Sequence, residues 1–515
     1  MAHAALWLGG SLCLTVLLVS TSSSFQSYTW TFLFLIPCPP GRSLWNGHHE
    51  ELESLLPGEM IGRWIQQVPN DGLLRYYEAG NQETLLPTTP KAVADVLTHK
   101  AYDWKKTDIT QALLKKIIGE GLLLSEGDVH RVQRRNLNPA FSFRHIKNLY
   151  PTFWKKGNEL LQAIEDAIKP LPNDKKVITV GPWMRRATLD IIGLGGLGHN
   201  FDCIQNPDSF LPREFEKLLA PPPAAALSTA FRFLGSLLDP TFIEALPSKH
   251  AANAKEASRR IRDFSRSLLQ EKSKGLKDDH CSEAIDVISI ALQSGVFADE
   301  TLVDQVMTFL AAGHETTATS LQYAIHLLCK HPEMQTRLRD EIHSNIPSPN
   351  GTLPTTVSAT QIDSLPYLNA VCNETLRYYP PAPFTVRQAA RDTTVLNTFI
   401  PKGTRISIGI LAMNRHPELW GPDAETFNPD RWMGPGKGNT GGASSNYGHL
   451  TFLEGPRSCI GSGFAKGEMA CLLAALVGRF EFELEDPNKE LEISTGVAFA
   501  PKDGVRAKVR VVEGW

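Results

Sequence analysis

Several features that would place a chain quickly are missing from this one. Its 515 residues include eight cysteines, at positions 13, 38, 203, 281, 329, 372, 459 and 471, with no CxxC pair among them. That spread excludes the dense disulfide framework of a small secreted domain and reads as mostly reduced thiols. Charge of one sign is missing too: 52 Lys and Arg stand against 55 Asp and Glu, a net of −3. No global charge therefore argues for nucleic acid as a partner. After Leu56 there is no internal repeat and no long disordered linker. A dinucleotide fingerprint is also lacking. GLGGLG, Gly193 to Gly198, has the glycines but lies inside the helical pattern WMRRATLDIIGLGG with no preceding strand, which makes it packing glycine rather than a Rossmann turn. Any redox chemistry needs an electron source outside this chain.

One end of the chain has no charge at all. Residues 4–36 carry no charged side chain, and no Lys or Arg occurs before Arg42. About 20 helical residues cross a hydrocarbon core of ~30 Å, so residues 1–36 are expected to form a membrane anchor. A cleaved signal peptide is the competing reading, but its positively charged start is missing. The positive-inside rule places Arg42 and the bulk of the chain in the cytosol. Pro37, Pro39, Pro40 and Gly41 predict a stiff hinge, giving a linker over 37–55 and a body over 56–515.

Within the body, 42% of the whole chain being hydrophobic allows a large core. Leu302, Val306, Phe309, Leu310, Leu321, Ala324, Ile325 and Leu328 recur at helical spacing and predict a central helix from Asp299 to Lys330. At ~1.5 Å per residue it is about 48 Å long. Strand signals are few: VLNTFI, a turn at Pro401, Lys402 and Gly403, and RISIGI predict a hairpin. LAPPPAAAL, Leu219 to Leu227, and the glycine-rich stretch Gly434 to Gly448 read as loops. The fold class is mainly α with a minor β part.

The chemistry concentrates around Cys459, in FLEGPRSCIG, Phe452 to Gly461. Gly455, Gly461 and Gly463 let backbone approach something bulky, and Arg457 adds a fixed positive charge. The helical run Phe464 to Phe480 follows, so the sulfur sits near a helix amino end that favours an anion by ~0.3–1 kcal/mol. Such a thiolate suits a nucleophile, a zinc ligand or a heme ligand. Zinc wants about four close ligands, which His449 and Cys471 do not supply. A nucleophile needs a nearby base; heme ligation needs one cysteine.

FLEGPRSCIG matches FxxGxRxCxG at every fixed position, and here the chain resembles the cytochrome P450 superfamily, in particular fungal members used in secondary metabolism. The resemblance extends from about Leu56 to the carboxyl terminus. ETLR, Glu374 to Arg377, matches the family's ExxR, and NPDRW supplies Arg431; an i, i+3 pair alone is an ordinary surface ion pair. AGHETT, Ala312 to Thr317, sits mid-helix, and HRVQR, His130 to Arg134, stands where the family commonly has WxxxR.

The resemblance implies a large helical domain around heme b and a small β-rich region. Cys459 becomes the axial iron ligand, in a loop shaped by Phe452, Gly455 and Gly461. Arg134, Arg387, Arg457 and His130 become partners of the heme propionates. Glu374, Arg377 and Arg431 form a buried network behind the heme, and Glu315 and Thr316 form the proton relay for a monooxygenase. Electrons come from NADPH through a separate cytochrome P450 reductase, docked near Arg131, Arg134, Arg135 and Lys466, with cytochrome b5 as a further candidate donor. The implied location is the endoplasmic reticulum membrane.

Apolar residues such as Leu113, Ile117, Phe309, Phe384 and Val497 fit a lipophilic substrate without choosing among terpenoid, polyketide and alkaloid scaffolds. Two rival readings are a P450-fold isomerase or dehydratase without oxygen activation, and a non-enzymatic heme sensor.

Overall fold

A computed structural model describes residues 32–44, 46–172, 176–219, 249–277, 286–348, 356–494, 496 and 498–515. Among these, the helices of ten residues or more are α1 (Asp108–Ile118), α2 (Gly127–Leu137), α3 (Phe143–Ile168), α4 (Val180–Leu197), α5 (Phe210–Leu219), α6 (Lys249–Lys277), α7 (Asp299–Lys330), α8 (Pro332–Asn345), α9 (Pro366–Tyr378) and α10 (Ser462–Arg479). The expected central helix is α7, with the predicted bounds. Asp299 and Glu300 in its first turn and Lys330 in its last complement the helix dipole. Its apolar residues are buried on every side, the mark of a helix that crosses an interior. It packs against α4, α6 and α10. Gly313 makes room for α4: a Cβ there would lie 3.0 Å from the Ile192 side chain. GLGGLG forms the end of α4, and Gly198, at φ +61°, closes it.

The β part is small. The strands are β1 (Leu73–Glu78), β2 (Gln82–Pro87), β3 (Trp104–Lys105), β4 (Val177–Thr179), β5 (Thr385–Ala389), β6 (Thr393–Val395), β7 (Thr398–Ile400), β8 (Arg405–Ile408), β9 (Phe480–Leu484), β10 (Ile493–Ser494), β11 (Ala500–Pro501) and β12 (Arg506–Val511). The largest sheet runs β1-β2-β8-β5-β3, and a second runs β4-β12-β9. The expected hairpin is corrected here. VLNTFI is not one strand: Leu396 and Asn397 both take positive φ, 49° and 68°, and turn β6 back onto β7, as two-residue hairpin loops do. RISI pairs with β5 and β2 instead.

The amino-terminal boundaries also change. Most of the expected anchor, residues 1–31, lies outside the described residues. Phe32–Leu35 forms a 3-10 turn, and Leu33 and Ile36 are buried in the sheet-side core with Leu73 and Leu85. The stretch 37–55, expected as a hinge and linker, is bound to β1 where it is described. Arg75 donates its backbone N–H to Pro37 O and its Nε–H to Ile36 O at 3.0 Å. His48 accepts Tyr77 N–H at Nδ1 and thus donates from Nε2 to Pro39 O, both at 3.1 Å. Leu33, Ile36 and His48 are thus packed against the sheet, while Phe34, Leu35 and Leu44 are exposed. Among the described residues no helix is long and apolar enough to cross a membrane. Of LAPPPAAAL, all but Leu219 lies outside the described residues.

Candidate active site

The loop before α10 is held by backbone geometry. Gly455 has φ +81°, and a Cβ there would lie 2.2 Å from Leu97 O, so glycine alone fits. Cys459 N–H returns to Phe452 O at 2.8 Å. Gly461 caps α10. Phe452 carries the Lys466 ammonium 5.5 Å from its ring centre. Cys459 keeps accessible surface, yet burial pushes its thiol above the ordinary value, opposed by Gly461 N–H and the Arg134 guanidinium. The sulfur is thus both accessible and desolvated by the protein around it. The amino end of α10, expected to favour a thiolate, is worth only ~0.3–1 kcal/mol and loses to desolvation. A metal ion on the sulfur reverses that outcome, because coordination deprotonates a thiol.

Cations gather beside this loop. Arg457 donates to Trp104 O at 2.8 Å and pairs with Glu126 at 2.6 Å. Arg134, on α2, donates to Ser458 O, next to the cysteine. Arg387, on β5, is buried and spends one nitrogen on Thr385 Oγ1 and Val386 O. Burial, and then the Arg457 charge, push its guanidinium down to about 10. His130 is buried on α2, with Nδ1 3.2 Å from Tyr102 Oη. Burial first, then Arg457 and Lys106, push it down to about 4. Lys106 is the cation that motif reasoning missed, and Glu126 is the carboxylate facing the group.

Behind the loop, Glu374, Arg377 and Arg431 come together as expected, all buried. Glu374 accepts from Arg377 Nη2 at 2.7 Å and Nε at 2.8 Å, and from Arg431 Nε at 3.1 Å. Trp432 Nε1–H adds a bond at 2.8 Å, and Asn428 N–H another at 2.8 Å. Trp432 stands beside Arg431 in NPDRW, so its signal was present in the sequence. Arg377 fills its remaining donors with Asn414 O, Ala424 O and Thr426 O.

Across the interior, Ala312, Gly313 and Thr316 keep partial accessibility between the buried stretches of α7. They form an accessible window in the middle of an otherwise buried helix. Thr316 Oγ1 donates to Ala312 O at 2.9 Å. Glu315 does not touch Thr316 through a hydrogen bond. Its carboxylate lies 3.7 Å from Arg185 on α4 and 3.7 Å from His314 Nε2, and its Oε2 is buried without a hydrogen-bond partner. The expected relay is thus not a direct pair. Arg185, half exposed, joins Glu315 to the outside, and no motif in the sequence announces it.

Residues 37–505 match the family model for cytochrome P450. The chain belongs to the cytochrome P450 family. It is 48% identical over 482 residues to cytochrome P450 monooxygenase sphH of Aspergillus fumigatus, covering 93% of this chain and 88% of the relative. It is 37% identical to cytochrome P450 monooxygenase FSL4 of Gibberella zeae, over 98% of this chain and 94% of the relative. With cytochrome P450 monooxygenase FUM15 of Gibberella moniliformis it shares 40% identity, over 87% and 83% respectively. This P450 is a monooxygenase, and the family implies a heme held through a cysteine thiolate. The residues present fit that group. The accessible cysteine sulfur gives an iron ligand, and buried cations facing one carboxylate suit a dianion such as a pair of propionates. The window on α7 leaves a face for small molecules.

Proposed function

We propose that this P450 oxidises a lipophilic small molecule in a fungal secondary-metabolite pathway, using dioxygen and two electrons that NADPH delivers through a separate reductase. The observation that carries the reading is that Cys459, in a loop matching the family's cysteine motif, keeps accessible surface, as do Ala312, Gly313 and Thr316 within the otherwise buried middle of α7. Aromatic pairs stand beside α7: Phe309, on the helix, lies 5.6 Å from Phe141, and Phe499, whose carbonyl accepts from Tyr323 of α7, lies 5.5 Å from Phe384, ring centre to ring centre. Leu114 and Ile117 pack on the same core, while Leu113 is exposed and Val497 lies outside the described residues. Such a lining recognises shape and apolar surface, so it suits terpenoid, polyketide or alkaloid scaffolds.

When bound, the heme supplies the activation of dioxygen and the transfer of one oxygen atom. Cys459 would hold the iron through its thiolate and supply electron density to it. Arg134, Arg387 and Arg457 would neutralise the propionates, the neutral His130 would donate a hydrogen bond to them, and Glu374, Arg377 and Arg431 hold the shell that carries the cysteine loop. Thr316 turns its hydroxyl from Ala312 O to pass a proton inward. Glu315, its free oxygen bridged by water to Thr316, takes protons in from the Arg185 side. We also assign the uncharged stretch before Phe32 to attachment at the endoplasmic reticulum membrane, with the body in the cytosol and cytochrome b5 as a second donor.

Co-expression with a fungal-type reductase, followed by the reduced, carbon-monoxide-bound spectrum, tests the core of this reading. A red-shifted Soret band is expected; its absence in folded, heme-loaded protein would sink the thiolate assignment. Product formed without NADPH would favour the isomerase or dehydratase reading instead.

A further inference from the structure

His314 lies in the middle of α7, beside the proposed proton path, and is fully buried. Its Nδ1 is hydrogen-bonded to Leu310 O. A carbonyl only accepts, so the ring proton sits on Nδ1. Nε2 therefore carries a lone pair, and among the described residues nothing donates to it. The Phe215 ring of α5 packs against the imidazole, 4.6 Å away centre to centre, and Thr188 Oγ1 of α4 donates to the His314 carbonyl at 3.0 Å. Complete burial pushes the imidazole below its ordinary value, against the pull of Glu315, so the ring stays neutral.

What Nε2 faces is Glu315 Oε2, 3.7 Å away and likewise buried without a hydrogen-bond partner. Two acceptors set against each other lack a proton between them. Water does not fill that gap, because two hydrogen bonds of about 2.8 Å through one water hold their acceptors about 4.5 Å apart. A proton on Oε2 does fill it, once the carboxyl advances by about 1 Å to the usual hydrogen-bond length. The other oxygen, Oε1, lies 3.7 Å from the half-exposed Arg185. A guanidinium binds a carboxylate, whereas a lone pair binds a carboxylic acid. The Glu315 side chain stands between these two partners, hydrogen-bonded to neither.

We propose that His314 is a positioning residue in proton delivery: its Nε2 lone pair accepts a hydrogen bond from the Glu315 carboxyl while that carboxyl holds a proton. Glu315 takes the proton from water beside Arg185, rests it against His314, and gives it through water to Thr316. It is left as a carboxylate and returns to Arg185. The imidazole neither gains nor loses a proton, because its Nδ1–H stays on Leu310 O. This inference rests on the proton path proposed above and adds to it the residue that keeps the acid loaded.

The test uses the reduced, heme-loaded enzyme with carbon monoxide bound. Infrared difference spectra on photolysis of the carbon monoxide are recorded for wild type, Glu315→Gln, His314→Phe and His314→Gln. Wild type should show the stretching band of a protonated carboxyl, shifted in heavy water and absent from Glu315→Gln. His314→Phe keeps a ring against Phe215 but offers no lone pair, so the band should be lost or move to the frequency of an acid without a hydrogen bond. His314→Gln carries an amide oxygen to the region of Nε2 and should restore the wild-type band, a rescue that a packing role alone would not produce. A wild-type spectrum without the band overturns the proposal, and so does a band unmoved in His314→Phe. Failure of His314→Gln to restore it counts the same way. If His314→Phe does not accumulate, His314→Leu removes the lone pair with less bulk, and the same outcomes decide. A wild type without the red-shifted carbon-monoxide Soret band fails the heme-thiolate reading instead, and unchanged coupling in Thr316→Ala fails the path through Thr316, so the failures are distinguishable.

Discussion

The support of the cysteine loop and the middle of α7 are built differently. On the cysteine side, nearly every polar group is spoken for: Glu374 alone accepts five hydrogen bonds, from Arg377 twice, Arg431, Trp432 and Asn428. On the α7 side, Glu315 Oε2, His314 Nε2 and Thr317 Oγ1 are buried without hydrogen-bond partners, and the neighbours are apolar. The first side is a rigid mount, in which each group's position is set by several others. The second is less fixed: these polar atoms are buried without protein hydrogen bonds, and accessible surface is kept by Ala312, Gly313 and Thr316. The contrast teaches where this enzyme spends its interactions: on holding the cofactor, with little left to specify the substrate.

The sharpest way to break the mount is to remove its centre. Cys459→Ala should abolish the red-shifted reduced carbon-monoxide band and all monooxygenase turnover, read by difference spectroscopy. A variant that kept the band would assign the iron ligand elsewhere. Next comes Glu374→Ala, which strands Arg377, itself fully buried, without its counter-ion. Breaking a buried pair from one side costs ~3–5 kcal/mol, so the expected outcome is little soluble heme-loaded protein, measured by yield and denaturant midpoint. A normal midpoint would show that the network is dispensable to the mount.

The middle of α7 should respond otherwise. Thr316→Ala removes a hydroxyl that, among the described residues, bonds to Ala312 O alone, so folding and heme content should stay unchanged. Positioned proton transfer contributes roughly 10²–10⁴-fold, and its loss should appear as peroxide formed in place of product for each NADPH consumed. Equal coupling in the variant would place the proton path away from Thr316 and blur the contrast between the two sides.

The same contrast governs what the sequence makes legible. The mount is written in short motifs, since a loop, a helix turn and one arginine carry most of it; Trp432 was overlooked although it adjoins Arg431. The long helix was readable to its ends because its apolar period runs unbroken and acids and a lysine mark its termini. Lys106, Glu126 and Arg185 were not readable, because each meets its partners only after distant strands or helices pair. The hairpin was misplaced because Asn397 and Leu396 turn within two residues, whereas Pro401 to Gly403 offered the more conspicuous turn composition. In the amino-terminal stretch the prolines suggest a hinge, and the docking of Leu33, Ile36 and His48 was not legible because it depends on a strand some 40 residues later.

The smallest effect concerns an exception within the mount. His449 Nε2 is buried and unpartnered, and its ring lies 5.3 Å from Trp432 and 6.2 Å from Trp420. Burial first, then the Lys466 and Arg377 charges, push the imidazole down to about 3, so the folded protein keeps it neutral. In the unfolded chain it titrates near the ordinary value of ~6.5. Below that pH the unfolded state gains a proton that the folded state refuses, and stability falls as pH drops toward about 3. Above ~6.5 both states are neutral and the term vanishes. His449→Phe keeps an aromatic ring against the two tryptophans and removes the titration. Denaturant midpoints at pH 7 and pH 5 should therefore show a shallower acid loss in the variant, by about 2 kcal/mol. An equal loss in both proteins would mean that water reaches Nε2 and protonates it in the folded state, opening the mount to solvent.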